Sequence, residues 1–165
     1  MRMVELTVAD IRVDRTSNSP VVLLREKGGS RVLPIWIGPA EAHAIAMELQ
    51  GVKPQRPLTH DLLKQVITGL GGTLKRIVIS AVKENTYFAE LFIHREEHVF
   101  QVDARPSDSI ALALRLHAPI FAADSLLDEA GVQPNGPTAA PTHDPDALKQ
   151  YLERLDPQDF GRFQP

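Results

Sequence analysis

Between residues 103 and 109 the chain reads Asp103-Ala104-Arg105-Pro106-Ser107-Asp108-Ser109. Two carboxylates and a guanidinium within six residues support two readings. They could bind a divalent cation and a phosphate oxygen together, as phosphodiester hydrolysis requires. Equally, they could close on one another as an internal salt-bridge network. Pro106 suits the first position of a helix, where no backbone N–H is needed, which puts Arg105 at the N-cap and Asp108 three residues in. A helix start offers free N–H groups and a partial positive charge, a setting for an anion. Arg105, with Ser107 beside it, is the residue that would take phosphate. Arginine is a poor N-cap, so a cost of about 1 kcal/mol is borne there for another reason.

The same grammar occurs once more. Pro39-Ala40-Glu41-Ala42 and the Ala-rich run after it align without gaps with Pro106 onward, at an offset of 67. Glu41 then corresponds to Asp108, and the candidate cation ligands are Glu41, Asp103 and Asp108. As plainly, Glu41 and Asp108 could bond back to their own helix caps and complement the helix dipole. His60-Asp61 opens a third helix and pairs an acid with a proton-transfer group; by itself it reads as an ordinary exposed helix start. Lys83, Asn85 and Tyr87 form a polar turn that could meet substrate, with Lys83 the cation. His94 and His98 flank another turn and could face each other, though a metal site there lacks a third ligand.

What must position these residues is legible from periodicity. Glu5 to Asp14 alternates apolar and polar residues with a phase slip at Ala9-Asp10, as at a bulge. Val21 to Leu24 and Arg31 to Ile37 follow as strands around Lys27-Gly28-Gly29-Ser30. A helix covers Ala40 to Leu49. Thr59 is the expected N-cap of a helix to Thr68, with Leu62, Leu63, Val66 and Ile67 on one face. Three strands, Thr73–Val82, Thr86–His94 and His98–Asp103, lead into the Pro106–Leu116 helix, apolar nearly all round and hence buried. A short extended piece, Pro119–Ala122, and one or two helical turns from Asp124 complete the core. The expectation is an α/β (α+β-like) fold: a compact mixed sheet from two β-β-β-α units, the first with an extra helix, and a short C-terminal helical tail. Residues 1–131 form the core, 132–143 a Pro-rich linker and 144–165 an acidic helical tail. The tail's Leu148, Tyr151, Leu152 and Leu155 would dock on the core, a second subunit or a protein partner.

Bulk properties limit the function classes. With no cysteine, disulfides, thiolate nucleophiles and Cys-based zinc sites are out. No apolar run has membrane-spanning length and no signal-peptide pattern opens the chain, so the expected setting is cytoplasmic. Residues 1–122 carry 15 Lys/Arg against 13 Asp/Glu, and residues 123–165 carry 3 against 8. Such a balance allows a transient nucleic-acid contact, not one driven by phosphate neutralisation alone. P-loop, nucleophile-elbow, His-Glu-x-x-His and dinucleotide signatures are missing.

Three stretches together resemble the bifunctional nuclease family: Leu33-Pro34-Ile35-Trp36-Ile37-Gly38 with Glu41-Ala42, Arg56-Pro57-Leu58-Thr59-His60-Asp61-Leu62, and above all Asp103 to Ala113. The resemblance spans residues 4–131, and the segment from Leu148 to Phe160 is similar to an extension of some members. Ser109 stands where the family pattern has Ala. The resemblance implies a compact α/β core acting as a DNase, an RNase or both. On that reading Glu41, Asp103, Asp108 and His60 are catalytic, with magnesium or manganese on the acids. Arg105, Ser107 and Lys83 would hold substrate. The alternatives are a non-catalytic adaptor whose tail docks on a partner, and a small-anion or nucleotide sensor built on the helix starts.

Overall fold

The computed structural model describes residues 1–133. The expected tail, and all of the expected linker except Val132 and Gln133, lie outside the described residues. Val132 pairs with Val32 through two backbone hydrogen bonds, so attachment to the core continues past the expected boundary at residue 131.

Seven strands form one mixed sheet. Strands β1 (Met3–Asp14), β2 (Ser19–Glu26) and β3 (Val32–Trp36) make an antiparallel meander. Helices α1 (Pro39–Leu49) and α2 (Thr59–Gly69) follow it. A second antiparallel meander, β4 (Thr73–Lys83), β5 (Thr86–Arg95) and β6 (His98–Ala104), leads into α3 (Pro106–Leu116). Then come β7 (Ile120–Ala123) and α4 (Asp124–Ala130). The strand order is β3-β2-β1-β7-β4-β5-β6. The extended piece after α3 is thus the central strand: β7 runs antiparallel to β1 and parallel to β4. It follows that β1 and β4 are antiparallel to each other, as two units related by a twofold normal to the sheet would be.

The β1 phase slip is a real irregularity, with the register to β2 shifting between Val8 and Asp10. One extra residue there lets Leu6 and Ile11, which differ in parity, both point into the core. That core lies on one face of the sheet, under α1 and α3. Ala42, Ala44 and Ala46 of α1 and Ala111 and Ala113 of α3 are all buried. Such small side chains let the two helices, which pack on each other, approach closely.

A buried arginine fixes the three helices. Arg115, only 3% exposed in its side chain, donates from Nε to Asp61 at 2.8 Å. Its other nitrogens donate to the carbonyls of Ala111 in α3 and Ala44 in α1, both at 3.0 Å. Asp61 also accepts the Leu58 backbone N–H at 3.0 Å. The N-cap of α2 is therefore Leu58, and Thr59 is its first helical residue. A threonine one position too late loses out because the acid at the third position supplies the cap from inside the helix. The expected apolar face of α2 is only partly used: Ile67 packs on the core, while Leu62, Leu63 and Val66 are exposed. No described helix is long and apolar enough to cross a membrane.

Candidate active site at three helix starts

The starts of α1, α2 and α3 meet. Gly38 and Arg105 are the N-caps of α1 and α3, and Pro39 and Pro106 occupy the first turns, as their chemistry dictates. Glu41 and Asp108 are therefore equivalent third-position acids from the two halves. They share one guanidinium: Arg105 Nη2 donates to Glu41 Oε1 at 2.7 Å, and Arg105 Nε donates to Asp108 Oδ2 at 2.9 Å. On the other side of Asp108, His60 Nε2 lies 2.8 Å from Oδ1. Glu41, His60, Arg105 and Asp108 thus form one connected group drawn from three helices. The side-chain hydrogen bonds of Asp108 go to these residues, whereas back-bonding to a cap is the task of Asp61 in α2.

Exposure divides the group. The His60 side chain is 9% exposed, that of Arg105 64%. The exposed helix start expected at His60-Asp61 is thus a buried one, with both side chains in hydrogen-bonded networks. Burial pushes the Asp108 carboxyl up, but hydrogen bonds from His60 and Arg105 and the Arg105 charge outweigh it, so Asp108 lies below the usual carboxylate range. For Arg105, partial burial pulls the guanidinium down, and Asp108 and Glu41 more than reverse that. An ionised Asp108 accepts a hydrogen bond, so the Nε2 of a neutral His60 carries the proton. Nδ1 then holds the free lone pair. It has no partner among the described residues, and no polar side-chain atom there is both fully buried and unpaired, so Nδ1 keeps access to solvent.

Other expected residues lie elsewhere. Asp103 pairs with Glu90 across β5 and β6, while its neighbour Ala104 pairs with the core residue Ala89. Strand alternation therefore turns Asp103 to the opposite face of the sheet from the helix starts. No three His, Asp or Glu side chains are grouped to hold a metal ion among the described residues. The Glu41–Asp103–Asp108 ligand triad is not assembled. Ser107, at the second position of α3, does stay beside Arg105: it is largely buried but lines the adjoining cleft. Lys83 lies 5.9 Å from the centroid of the Phe88 ring. Asn85, Thr86 and Tyr87, not Lys83, line the neighbouring cleft. His94 pairs with Val99 and His98 with Arg95, so the two histidines occupy opposite faces and share no site.

That cleft, about 210 Å³, opens beside Arg105 between the end of β3 and the β4–β5 turn. β3 and β5 are five places apart in the strand order, so the sheet curls to bring them together. Trp36 lines it beside Tyr87, and its residue type alone did not mark it as a site residue. Its signal was a tryptophan at the last position of a strand, before a Gly-Pro helix start. Arg115 was missed as well, although a single arginine in an otherwise apolar helix has to find a partner if buried.

Comparison with known proteins bears on the family. The model of the bifunctional nuclease domain matches residues 22–135. An uncharacterized protein of Mycobacterium tuberculosis (strain H37Rv), Rv1829, is 44% identical over 164 residues, covering 96% of this chain and 98% of its own length. The rice (Oryza sativa subsp. japonica) protein named bifunctional nuclease 1 is 24% identical over 150 residues, 88% of this chain but 45% of the rice protein. Rice bifunctional nuclease 2 is 29% identical over 127 residues, 73% of this chain and 38% of the relative. The chain thus spans less than half of either plant protein. A domain match over most of the described core, taken with a relative of nearly equal length, shows that the chain belongs to the bifunctional nuclease domain family.

Proposed function

We propose that the chain hydrolyses phosphodiester bonds of nucleic acid at the group formed by Glu41, His60, Arg105 and Asp108. The observation that supports this best is the convergence itself. Helix starts from both halves deliver a histidine, two carboxylates and an exposed arginine to one hydrogen-bonded cluster in a family named for nuclease activity.

Each residue has a role that its setting allows. Asp108 orients His60 and holds its proton on Nε2, leaving Nδ1 to take a proton from an attacking water or ribose hydroxyl. Arg105 can exchange its carboxylate partners for phosphate oxygens, since its side chain is mostly in solvent. When Arg105 moves to phosphate, Glu41 and Asp108 lose their counter-charge. Two carboxylates suit magnesium or manganese held jointly with a substrate phosphate, not an all-protein cage. A cation bound there would neutralise charge developing on the phosphate.

The test is cleavage of end-labelled single-stranded DNA and RNA by purified protein, with magnesium, with manganese and with chelator. Turnover that falls to background in both His60→Ala and Asp108→Asn, each cooperatively folded, supports the assignment. Turnover unchanged in both refutes it. A second reading, a non-catalytic adaptor, draws on the fact that every charge of the cluster already has a partner within it. Absence of cleavage in every condition, with a partner captured through residues 144–165, would favour that reading.

A further inference from the structure

Trp36 is the only tryptophan of the chain, and 44% of it is exposed. A tryptophan offers a large flat apolar face together with one N–H donor. Its indole N–H donates to Asp14 Oδ2 at 2.8 Å, which anchors one end of the ring. The cleft beside Arg105 and a second cavity of about 550 Å³ are both lined by Trp36, Asn85 and Tyr87. These three residues therefore form a wall shared by two adjoining hollows.

The two hollows differ in charge. Among the described residues, the first carries the Arg105 guanidinium and no acid in its lining. Among the described residues, the second carries Glu84 and Glu129 and no cation. A backbone phosphate suits the Arg105 side and is repelled from the other. A flat, neutral, hydrogen-bonding group suits the aromatic wall and the acidic hollow beyond it. Asn85, held with φ of 61°, adds an amide that can both donate and accept.

We propose that Trp36 and Tyr87 form a nucleobase subsite: one unpaired base packs against Trp36 while its phosphate lies on Arg105. The proposal rests on the nuclease reading for the identity of the ligand, and it adds a requirement that reading lacks. The base has to be out of a duplex, because a stacked, paired base cannot enter a cleft of this size. Trp36 is outside the hydrogen-bonded Glu41–His60–Arg105–Asp108 group, so it is a positioning residue.

The sole tryptophan reports on its own site. Its fluorescence would be followed on titration with a short phosphorothioate oligothymidylate, which resists hydrolysis, and with the same backbone lacking bases. Affinity of labelled oligothymidylate would be measured in parallel for Trp36→Leu and Trp36→Phe. The expected result is saturable quenching by oligothymidylate and not by the abasic strand. Affinity should fall roughly tenfold in Trp36→Leu and mostly recover in Trp36→Phe. Equal quenching by both strands, or unchanged affinity in folded Trp36→Leu, overturns the subsite. Cleavage of natural oligonucleotides by that same variant at wild-type KM would show that the subsite has failed while the nuclease reading stands. Quenching and affinity loss as expected, without cleavage by wild type, would retain the subsite and remove the nuclease reading.

Discussion

Helix α3 has an arginine at each end, and the two behave oppositely. Arg115, near its C-terminus, is 3% exposed and reaches Asp61 of α2 and the Ala44 carbonyl of α1. Arg105, at its N-cap, is 64% exposed and reaches Glu41 of α1 and the same Asp108 that holds His60 of α2. Both tie together the same three helices. One does so in the dry interior, where a lost partner strands a charge. The other does so in solvent, where partners exchange at little cost. A rigid clip at one end is what allows the charged groups at the other end to stay close yet remain available.

This contrast can be broken at either end. The largest effect is expected for Arg115→Ala, which removes the clip and leaves Asp61 and two carbonyls without their donor. Denaturant unfolding should show a loss of about 3 kcal/mol or more. Arg115→Met, which refills the space without charge, should recover part of it, and equal losses in the two would mean that the lost ion pair and hydrogen bonds, not the lost packing, set the whole cost. Next comes Asp108→Asn, which keeps the shape of the side chain but removes the charge orienting His60. Cleavage should fall by roughly a hundredfold or more, with a cooperative unfolding transition retained. Arg105→Ala should reverse the pattern of Arg115→Ala, with stability within about 0.5 kcal/mol of wild type and turnover reduced at least tenfold. An easily unfolded Arg105→Ala that keeps its turnover per folded molecule would make Arg105 a second structural clip.

The smallest effect is a pH dependence. Asp61 and Asp108 both have folded-state pKa values below their ordinary value of 3.8. For Asp61, burial raises the value, but hydrogen bonds from Arg115 and the Leu58 amide and the Arg115 charge outweigh it. A depressed carboxylate contributes stability that is complete above its unfolded value and disappears as pH falls through the folded value. The melting-temperature gap between wild type and Asp108→Asn should therefore be constant near pH 5 to 7 and shrink below about pH 4. A gap that widens in acid would mean that Asp108 is not held ionised by His60 and Arg105.

Much of this was legible in the residues. Period-2 alternation, the Gly-Gly turn and the two Pro-led helices located nearly every element, because each is written in local chemistry. The repeat at an offset of 67 made Glu41 and Asp108 equivalent positions, and the structure joins both to Arg105. What local chemistry could not supply was the faces. Asp103 sits two residues before Arg105, yet strand alternation at Ala104 turns it away from the cluster. His60 and Asp61 looked exposed because nothing nearby in sequence pairs with them. Their partners, Asp108 and Arg115, are 48 and 54 residues away. Trp36 was similarly hidden, as only the curl of the sheet brings the end of β3 to the β4–β5 turn.

The central claim is that the exposed end of α3 carries the chemistry and the buried end carries the fold. It is tested most directly by single-turnover cleavage of an end-labelled single-stranded oligonucleotide by wild type and Arg105→Ala, each rate divided by the folded fraction in the same buffer. The account predicts a rate per folded molecule at least tenfold lower for Arg105→Ala, with the folded fraction unchanged. A wild-type rate per folded molecule, paired with a reduced folded fraction, would contradict it.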